Sequence, residues 1–294
     1  MTARCALHFD VDAAGACKRC GRFACASCMP DGSFCAECAP LANDPYGLNR
    51  RLDHLAAAQL AFKLILADLP KLLVLVFVFS VPAALMQTAL VPDGDDLKSI
   101  SAANRVDNLY NFIFGAIGTQ AMLAVLIARS EGRVIGIGRA LSEGAMNWPR
   151  FFGARFRSGL WILLFALALL VPGVWQAVML IFAGTAALRT RNVDPLEASR
   201  RLVKGRFWPV LGVGLMCGAT IVAVIVPLGI VAIVDEEAQL PRFPMELVNE
   251  LLTRFATDVV NAAVLLVAFV MLHRDADLPL EPMRWSGEPP PRQS

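Results

Sequence analysis

The feature that most constrains this chain is a set of long stretches without a charged side chain. The longest covers the 31 residues between Arg157 and Arg189, and 56% of the chain belongs to the hydrophobic set. A helix needs about 20 predominantly apolar residues to cross the roughly 30 Å hydrocarbon core of a bilayer. Several such stretches are not expected in a soluble domain, so the sequence predicts an all-α integral membrane protein.

Stretches long enough to span a membrane, uncharged except for Asp258 in the last, occur at five places. They are residues 72–91, 109–128, 158–188, 207–234 and 255–272. The third is too long for one straight helix and short for two, and Pro172-Gly173 lies near its middle. Whether this stretch crosses once or twice decides between five and six spans.

The charges of the connecting loops favour six spans, because Lys and Arg gather on the cytoplasmic side of membrane proteins. Residues 129–157 and 189–206 each carry six basic and two acidic side chains. Residues 92–108 carry two basic and four acidic ones, and residues 235–256 carry two and five. Both basic loops face the cytosol only if the stretch between them is a hairpin. The sequence therefore predicts six transmembrane helices, the third and fourth forming a hairpin at the Pro-Gly pair, with both termini in the cytosol.

Seven of the eight cysteines lie within the first 38 residues, and with His8 they form four pairs of candidate metal ligands. Two residues separate the members of each pair, which are Cys5 and His8, Cys17 and Cys20, Cys25 and Cys28, and Cys35 and Cys38. This spacing lets two side chains of one turn bind the same zinc ion. Eight ligands make two closed four-coordinate sites without room for an activated water, so we expect two structural zinc ions.

Two groupings of these pairs are open. In a crossed arrangement the first and third pairs bind one ion and the second and fourth bind the other, which leaves more chain to wrap each ion. In a sequential arrangement neighbouring pairs share an ion. A disulfide cluster is a third interpretation, but it requires an oxidising compartment and does not explain the position of His8. Residues 1–9 lack the pattern of a secretory signal, so we expect this module in the cytosol.

The ligand pattern resembles a B-box type zinc finger, a cross-braced module of animal ubiquitin-ligase proteins with short relatives at the amino termini of bacterial membrane proteins. The resemblance covers about 38 residues and departs at Cys35 and Cys38, where animal B-boxes often have histidines. It implies protein binding without catalysis, and it does not carry over a specific partner or ligase activity.

The charge of residues 1–45 argues against nucleic acid as the partner of this module. The segment holds four basic and five acidic side chains, and seven thiolates on two zinc ions bring its charge to about minus four. Nucleic-acid-binding surfaces are basic. A cytosolic or membrane protein is the expected partner.

The segment after the predicted hairpin is the most distinctive part of the membrane region. Pro195 is suited to begin a helix, Glu197 lies near its positive end, and Gly205 ends it. We expect a short basic helix at the membrane surface here, and another around residues 139–148. Residues 50–275 resemble a bacterial family of six-helix membrane proteins related to the membrane domain of some glycerophosphodiester phosphodiesterases. The resemblance implies an inner-membrane domain and no reaction, because the phosphodiesterase domain has no counterpart in this sequence.

The predicted spans contain few groups for chemistry. Their polar side chains are Gln87, Thr119, Gln120, Gln176 and Asn261, with Asp258 as the one carboxylate. Buried ionisable pairs, which a proton-coupled carrier needs, are missing, and intramembrane amides more often join helices. Cys217 is expected to be a packing residue. We identify no small-molecule substrate and expect no enzymatic activity.

The sequence therefore predicts four regions: a zinc module over 1–42, a linker and interfacial helix over 43–70, a six-span domain over 71–274 and a disordered tail over 275–294. The leading hypothesis is a bacterial inner-membrane protein whose cytosolic zinc module mediates protein interaction or regulation. The alternative is a transport or lipid-handling protein in which the spans act and the zinc module regulates. A cavity that reaches Gln120, Gln176 or Asn261 would favour the alternative.

Overall fold

The computed structural model of the chain describes residues 4–6, 8, 10–16, 23–29, 46–48, 51–91, 97–189, 193–238 and 242–275. Two short strands, β1 Gly15–Ala16 and β2 Phe23–Ala24, pair antiparallel near the amino terminus. A 3₁₀ turn, Ala26–Cys28, follows them.

The rest of the described chain is helical. Its α-helices are α1 His54–Ala67, α2 Leu69–Leu90, α3 Leu97–Tyr110, α4 Ala116–Ser130, α5 Ile137–Ala168, α6 Leu170–Met179, α7 Ala183–Arg189, α8 Pro195–Val203, α9 Phe207–Ala238, α10 Arg242–Arg254 and α11 Asn261–Asp275. The π-helical turns Asn111–Gly115 and Phe255–Val260 join α3 to α4 and α10 to α11.

Four helical stretches of the described chain are long and apolar enough to cross a membrane. They are Leu69–Leu90, Ser101–Ser130, Leu170–Arg189 and Glu246–His273. The pair of α8 with the first part of α9, bent by 114°, would make a fifth. The chain therefore has a membrane-spanning helical domain, but six spans are not confirmed.

Helix α5, which contains the predicted third span, is not among these candidate spans. It is one helix of 32 residues, and its first 21 residues carry five charged side chains. Beyond Arg157 only 11 uncharged residues remain before Leu169, about half the length that a crossing needs. The predicted short surface helix around residues 139–148 is thus the first part of this long helix.

The chain reverses direction after α5, as the sequence predicts, but at Leu169. The backbone there is extended, with φ −163° and ψ 142°, and α6 folds back onto α5. Gly173 faces Ala166 and Gly184 faces Phe151, which makes the two arms antiparallel. The turn lies at Leu169 and not at the predicted Pro172-Gly173. Pro172 instead belongs to the first turn of α6, a place that suits proline because its missing N–H is not needed there.

Helix α5 also packs antiparallel along α4. Gly144 is so close to the carbonyl oxygen of Ile117 that a Cβ atom there would lie 2.7 Å from it. Further along the same pair, the rings of Phe112 and Phe152 meet edge to face with centroids 4.3 Å apart. The charged part of α5 is therefore a packed part of the bundle.

Helix α8 begins at Pro195 and ends before Gly205, as the sequence predicts, and Asp194 caps its start. Asp194 accepts a hydrogen bond from the backbone N–H of Leu196, Pro195 begins the helix, and Gly205 follows its end with φ +78°. Its inner face packs on the bundle, where the buried Ser199 hydroxyl donates to Met179 O and accepts from the N–H of Phe182. Ser199 thereby satisfies backbone groups at the break between α6 and α7.

Charged residues join helix ends at one end of the bundle. Asp68, between α1 and α2, pairs with Arg129 near the end of α4 at 2.5 Å. Glu131 pairs with the buried Arg189 at the end of α7. These are helix ends for which the sequence predicts the cytoplasmic side.

Candidate metal centre

Two short turns bring four of the predicted metal ligands together. The first turn carries Cys5 and His8, and it is closed by hydrogen bonds from Val11 N to His8 O and from Cys5 N to Val11 O. The second is the 3₁₀ turn at Cys25 and Cys28, where Cys28 N donates to Cys25 O. A backbone hydrogen bond from Ala6 N to Phe23 O joins the first turn to the strand that precedes the second.

The four ligand atoms have the spacing of a tetrahedral zinc site. The Sγ atoms of Cys5 and Cys28 are 3.9 Å apart, and His8 Nδ1 lies 3.9, 3.5 and 3.3 Å from the Sγ atoms of Cys5, Cys25 and Cys28. A tetrahedron with Zn–S of about 2.3 Å and Zn–N of about 2.0 Å has S···S edges of about 3.8 Å and S···N edges of about 3.5 Å. These residues therefore fit a zinc ion bound by three sulfurs and one nitrogen.

The same distances argue against a disulfide cluster. A disulfide bond holds its sulfurs about 2.05 Å apart, well below the 3.9 Å between Cys5 and Cys28. Cys5, Cys25 and Cys28 are free thiols in the structure. A metal ion explains the convergence of three cysteines with His8 better than a disulfide does.

Local electrostatics shift the pKa values of Cys25 and Cys28 in opposite directions. The Ser27 hydroxyl lies 3.0 Å from Cys25 Sγ and lowers the pKa of that thiol to about 6, so Cys25 is a thiolate at neutral pH. Burial and then the neighbouring thiols raise the pKa of Cys28 to about 11. Hydrogen bonds to Cys25 and Cys5 raise the pKa of His8. Zinc binding would therefore release a proton from Cys28, as expected where a metal takes thiolate ligands.

The described residues of the module offer little else to stabilise it. Its buried cluster consists of the three cysteines with Ala24 and Met29, while His8 remains on the surface. So small a core is not expected to fold without additional links between its turns. A bound zinc ion would supply these links.

The ligand set is the first and third of the predicted pairs, which is the grouping of the crossed arrangement. Cys17, Cys20, Cys35 and Cys38, the predicted ligands of the second ion, lie outside the described residues. The predicted tail beyond Asp275 lies outside them as well, whereas most of the predicted linker and interfacial helix is described.

A second polar feature lies inside the helical domain. A cavity of about 230 Å³ is bordered by α4, α5, α7 and α11, and its wall includes Gln120, Arg155, Thr185 and Asn261. Sequence reasoning identified Gln120 and Asn261 as polar groups at membrane depth but treated Arg155 as a loop charge. No spacing could have joined these residues, because each comes from a different helix. Gln176 is not on this wall.

Asp258, the single carboxylate of the predicted spans, is paired. It accepts a hydrogen bond from Thr119 Oγ1 at 3.0 Å, and Arg254 Nη1 lies 3.5 Å from its other oxygen. Arg254 in turn donates to Asn111 Oδ1 at 2.8 Å. This network joins the two π-helical turns and explains how the charge is tolerated among apolar helices.

Comparison of the chain with protein-family models, with curated proteins and with solved structures found no match. The resemblances to B-box fingers and to the six-helix bacterial family therefore remain expectations from the sequence.

Proposed function

We propose that this chain is an integral membrane protein whose amino-terminal zinc module recruits a protein partner to the membrane. The observation that carries the proposal is the closed four-ligand set of Cys5, His8, Cys25 and Cys28, which leaves no open coordination position for catalysis. The proposal includes a second zinc ion on the remaining cysteines, six spans, a bacterial inner membrane and cytosolic termini. It includes no enzymatic activity.

Apolar side chains on the surface of the module support a protein partner. Phe23 is 50% exposed and Val11 is 48% exposed. They lie close together, because the carbonyl of Val11 accepts from Cys5 N and that of Phe23 accepts from the adjacent Ala6 N. Exposed aromatic side chains are typical centres of protein interfaces.

The test is cross-linked capture from native membranes with the full chain and three variants. Phe23→Ala should keep its zinc and lose the partner, because it alters only the exposed surface. Cys25→Ser should lose both. Cys217→Ser, which alters a cysteine buried in the helical domain, should keep both. If Phe23→Ala and Cys25→Ser capture the same proteins as the unaltered chain, the zinc module does not recruit them.

The second candidate function is transport or lipid handling by the helical domain. It is favoured by the cavity that reaches Gln120 and Asn261, since solidly packed spans would have no such space. In this case the zinc module would be regulatory.

A further inference from the structure

Two buried amides on the wall of the 230 Å³ cavity have polar atoms without a hydrogen-bond partner in the part of the chain that the structure describes. Gln120 is fully buried, and neither its Oε1 nor its Nε2 atom has a hydrogen-bond partner within the described residues. Asn261 is 9% exposed, and its Oδ1 atom likewise has no hydrogen-bond partner among the described residues. Buried polar groups nearly always find a partner in the protein, in water or in a ligand. The two amides therefore provide unsatisfied donor and acceptor atoms beside the cavity.

Arg155 adds a positive charge to the same wall. Its side chain is exposed, and its guanidinium group forms no ion pair with any described residue, although its charge acts on the nearby carboxylate of Asp258. Arg157 on the same helix, in contrast, pairs with Asp194 at 2.8 Å. An arginine among apolar helices is expected to face an anion or a polar cavity. Because guanidinium binds phosphate and carboxylate through charge-assisted hydrogen bonds, Arg155 favours an anionic group in the cavity over water alone.

Arg155 also lines a second cavity, and the walls of this one are mainly apolar. It is a groove of about 370 Å³ bordered by Phe112, Phe156, Leu160 and other side chains of α4, α5 and the π-helical turn before α4. These three side chains are about half exposed, so the groove opens on the outer surface of the helices. In a membrane this surface meets lipid chains. One arginine thus connects a polar cavity with a groove that suits hydrocarbon.

We infer that the two cavities together bind an anionic phospholipid. Its phosphate lies on Arg155, the polar end of its headgroup faces Gln120 and Asn261, and one acyl chain occupies the groove. The inference rests on the second candidate function, to which it assigns a ligand, and it is independent of the zinc module.

The test is native mass spectrometry of the full chain in detergent, with phosphatidylglycerol or phosphatidylcholine of identical acyl chains. We expect phosphatidylglycerol to bind at least about tenfold more tightly. Arg155→Gln should remove this preference, and Gln120→Leu should weaken phosphatidylglycerol binding about fivefold. Arg157→Gln, a matched control outside both cavities, should change it less than twofold. Thermal melting without lipid shows that the variants are folded, and we expect Gln120→Leu to melt no lower than the unaltered chain because it removes the unpartnered atoms.

Equal binding of the two lipids, or a preference that survives in Arg155→Gln, would overturn the inference. A third arm uses inorganic phosphate alone. If phosphate binds through Arg155 and phosphatidylglycerol does not, the lipid is the wrong ligand but the second candidate function stands. If neither binds, both the ligand and the second candidate function fail.

Discussion

Asp68 is the residue that connects the first two long helices to the rest of the bundle. Its side chain is 4% exposed and accepts hydrogen bonds from Lys71 Nζ at 2.7 Å and Arg129 Nε at 2.5 Å. Burial alone would raise the pKa of this carboxyl group, but the hydrogen bonds from Arg129 and Lys71 outweigh burial and hold the pKa below its ordinary value. Asp68 is therefore ionised, and its charge joins the junction of α1 and α2 to the end of α4.

We expect Asp68→Asn to lower the free energy of unfolding by about 2 kcal/mol at pH 7, because it leaves Arg129 without its anion. A carboxyl group whose pKa is lowered by folding contributes stability above its unfolded pKa, about 3.9, and this contribution is lost as the pH falls through the folded value. The difference between the unaltered chain and the variant should thus be complete at pH 7 and shrink below about pH 4.

Unfolding in detergent at both pH values measures this difference. Asp53→Asn is the control, since Asp53 caps α1 through a hydrogen bond from Leu55 N and asparagine caps a helix equally well. Equal stability of Asp68→Asn and the unaltered chain at pH 7 would show that the ion pair is not needed.

The hairpin of α5 and α6 depends on the close approach of two helices at one glycine. A Cβ atom added to Gly173 would lie 2.8 Å from the Cβ atom and 2.9 Å from the Cα atom of Ala166. Because one of these atoms belongs to the backbone, the helices themselves would have to move apart. Small residues are the usual means by which membrane helices pack this closely.

Gly173→Ala should therefore destabilise the protein by about 1–3 kcal/mol, the usual range for overpacking. Gly159→Ala is the matched control, because a Cβ atom there meets no atom within 4 Å. We expect the control to be neutral or stabilising, since alanine is the better helix former by about 1 kcal/mol. Thermal unfolding of the two variants side by side decides this, and a Gly173→Ala variant as stable as the control would contradict the packing described for the hairpin.

The elements differ in how far the sequence could predict them. Helix α8 was predictable because its start and end depend on local signals, namely Pro195 and Gly205. The reversal near the Pro-Gly pair was also predictable, but its position at Leu169 follows from the packing of α6 on α5. The cluster of Cys5, His8, Cys25 and Cys28, which could hold a metal ion, was predictable from the spacing of its residues. Arg155 was not recognised as a cavity residue because its neighbours there come from distant helices.

At the scale of the whole molecule, the sequence sorts charge by loop. The small formal net charge of +2 is a sum over loops of opposite sign. The pairs Asp68 with Arg129 and Glu131 with Arg189 show that loops of the basic side also contain structural ion pairs. Counting basic residues alone therefore overstates how much of a loop is solvated, since residues 137–157, counted there as loop, are the first part of α5.

The six-span proposal is tested at the tip of the hairpin. A reporter fused after Leu169 should be active only on the periplasmic side if α5 crosses the membrane. A fusion after Ile135, between α4 and α5, is the control and should report the cytosol. A cytosolic reporter after Leu169 would mean that α5 does not cross and would reduce the number of spans.

The zinc content of the purified full-length protein tests the metal module most directly. We expect two zinc ions per chain by elemental analysis, two in Cys217→Ser, and a loss of at least one in Cys25→Ser. Cys217→Ser controls for unspecific zinc binding by thiols, because it removes a cysteine buried among the helices, whereas Cys25→Ser removes a cysteine of the described ligand set. Less than one zinc ion in the unaltered chain, or an unchanged content in Cys25→Ser, would contradict a zinc site at Cys5, His8, Cys25 and Cys28.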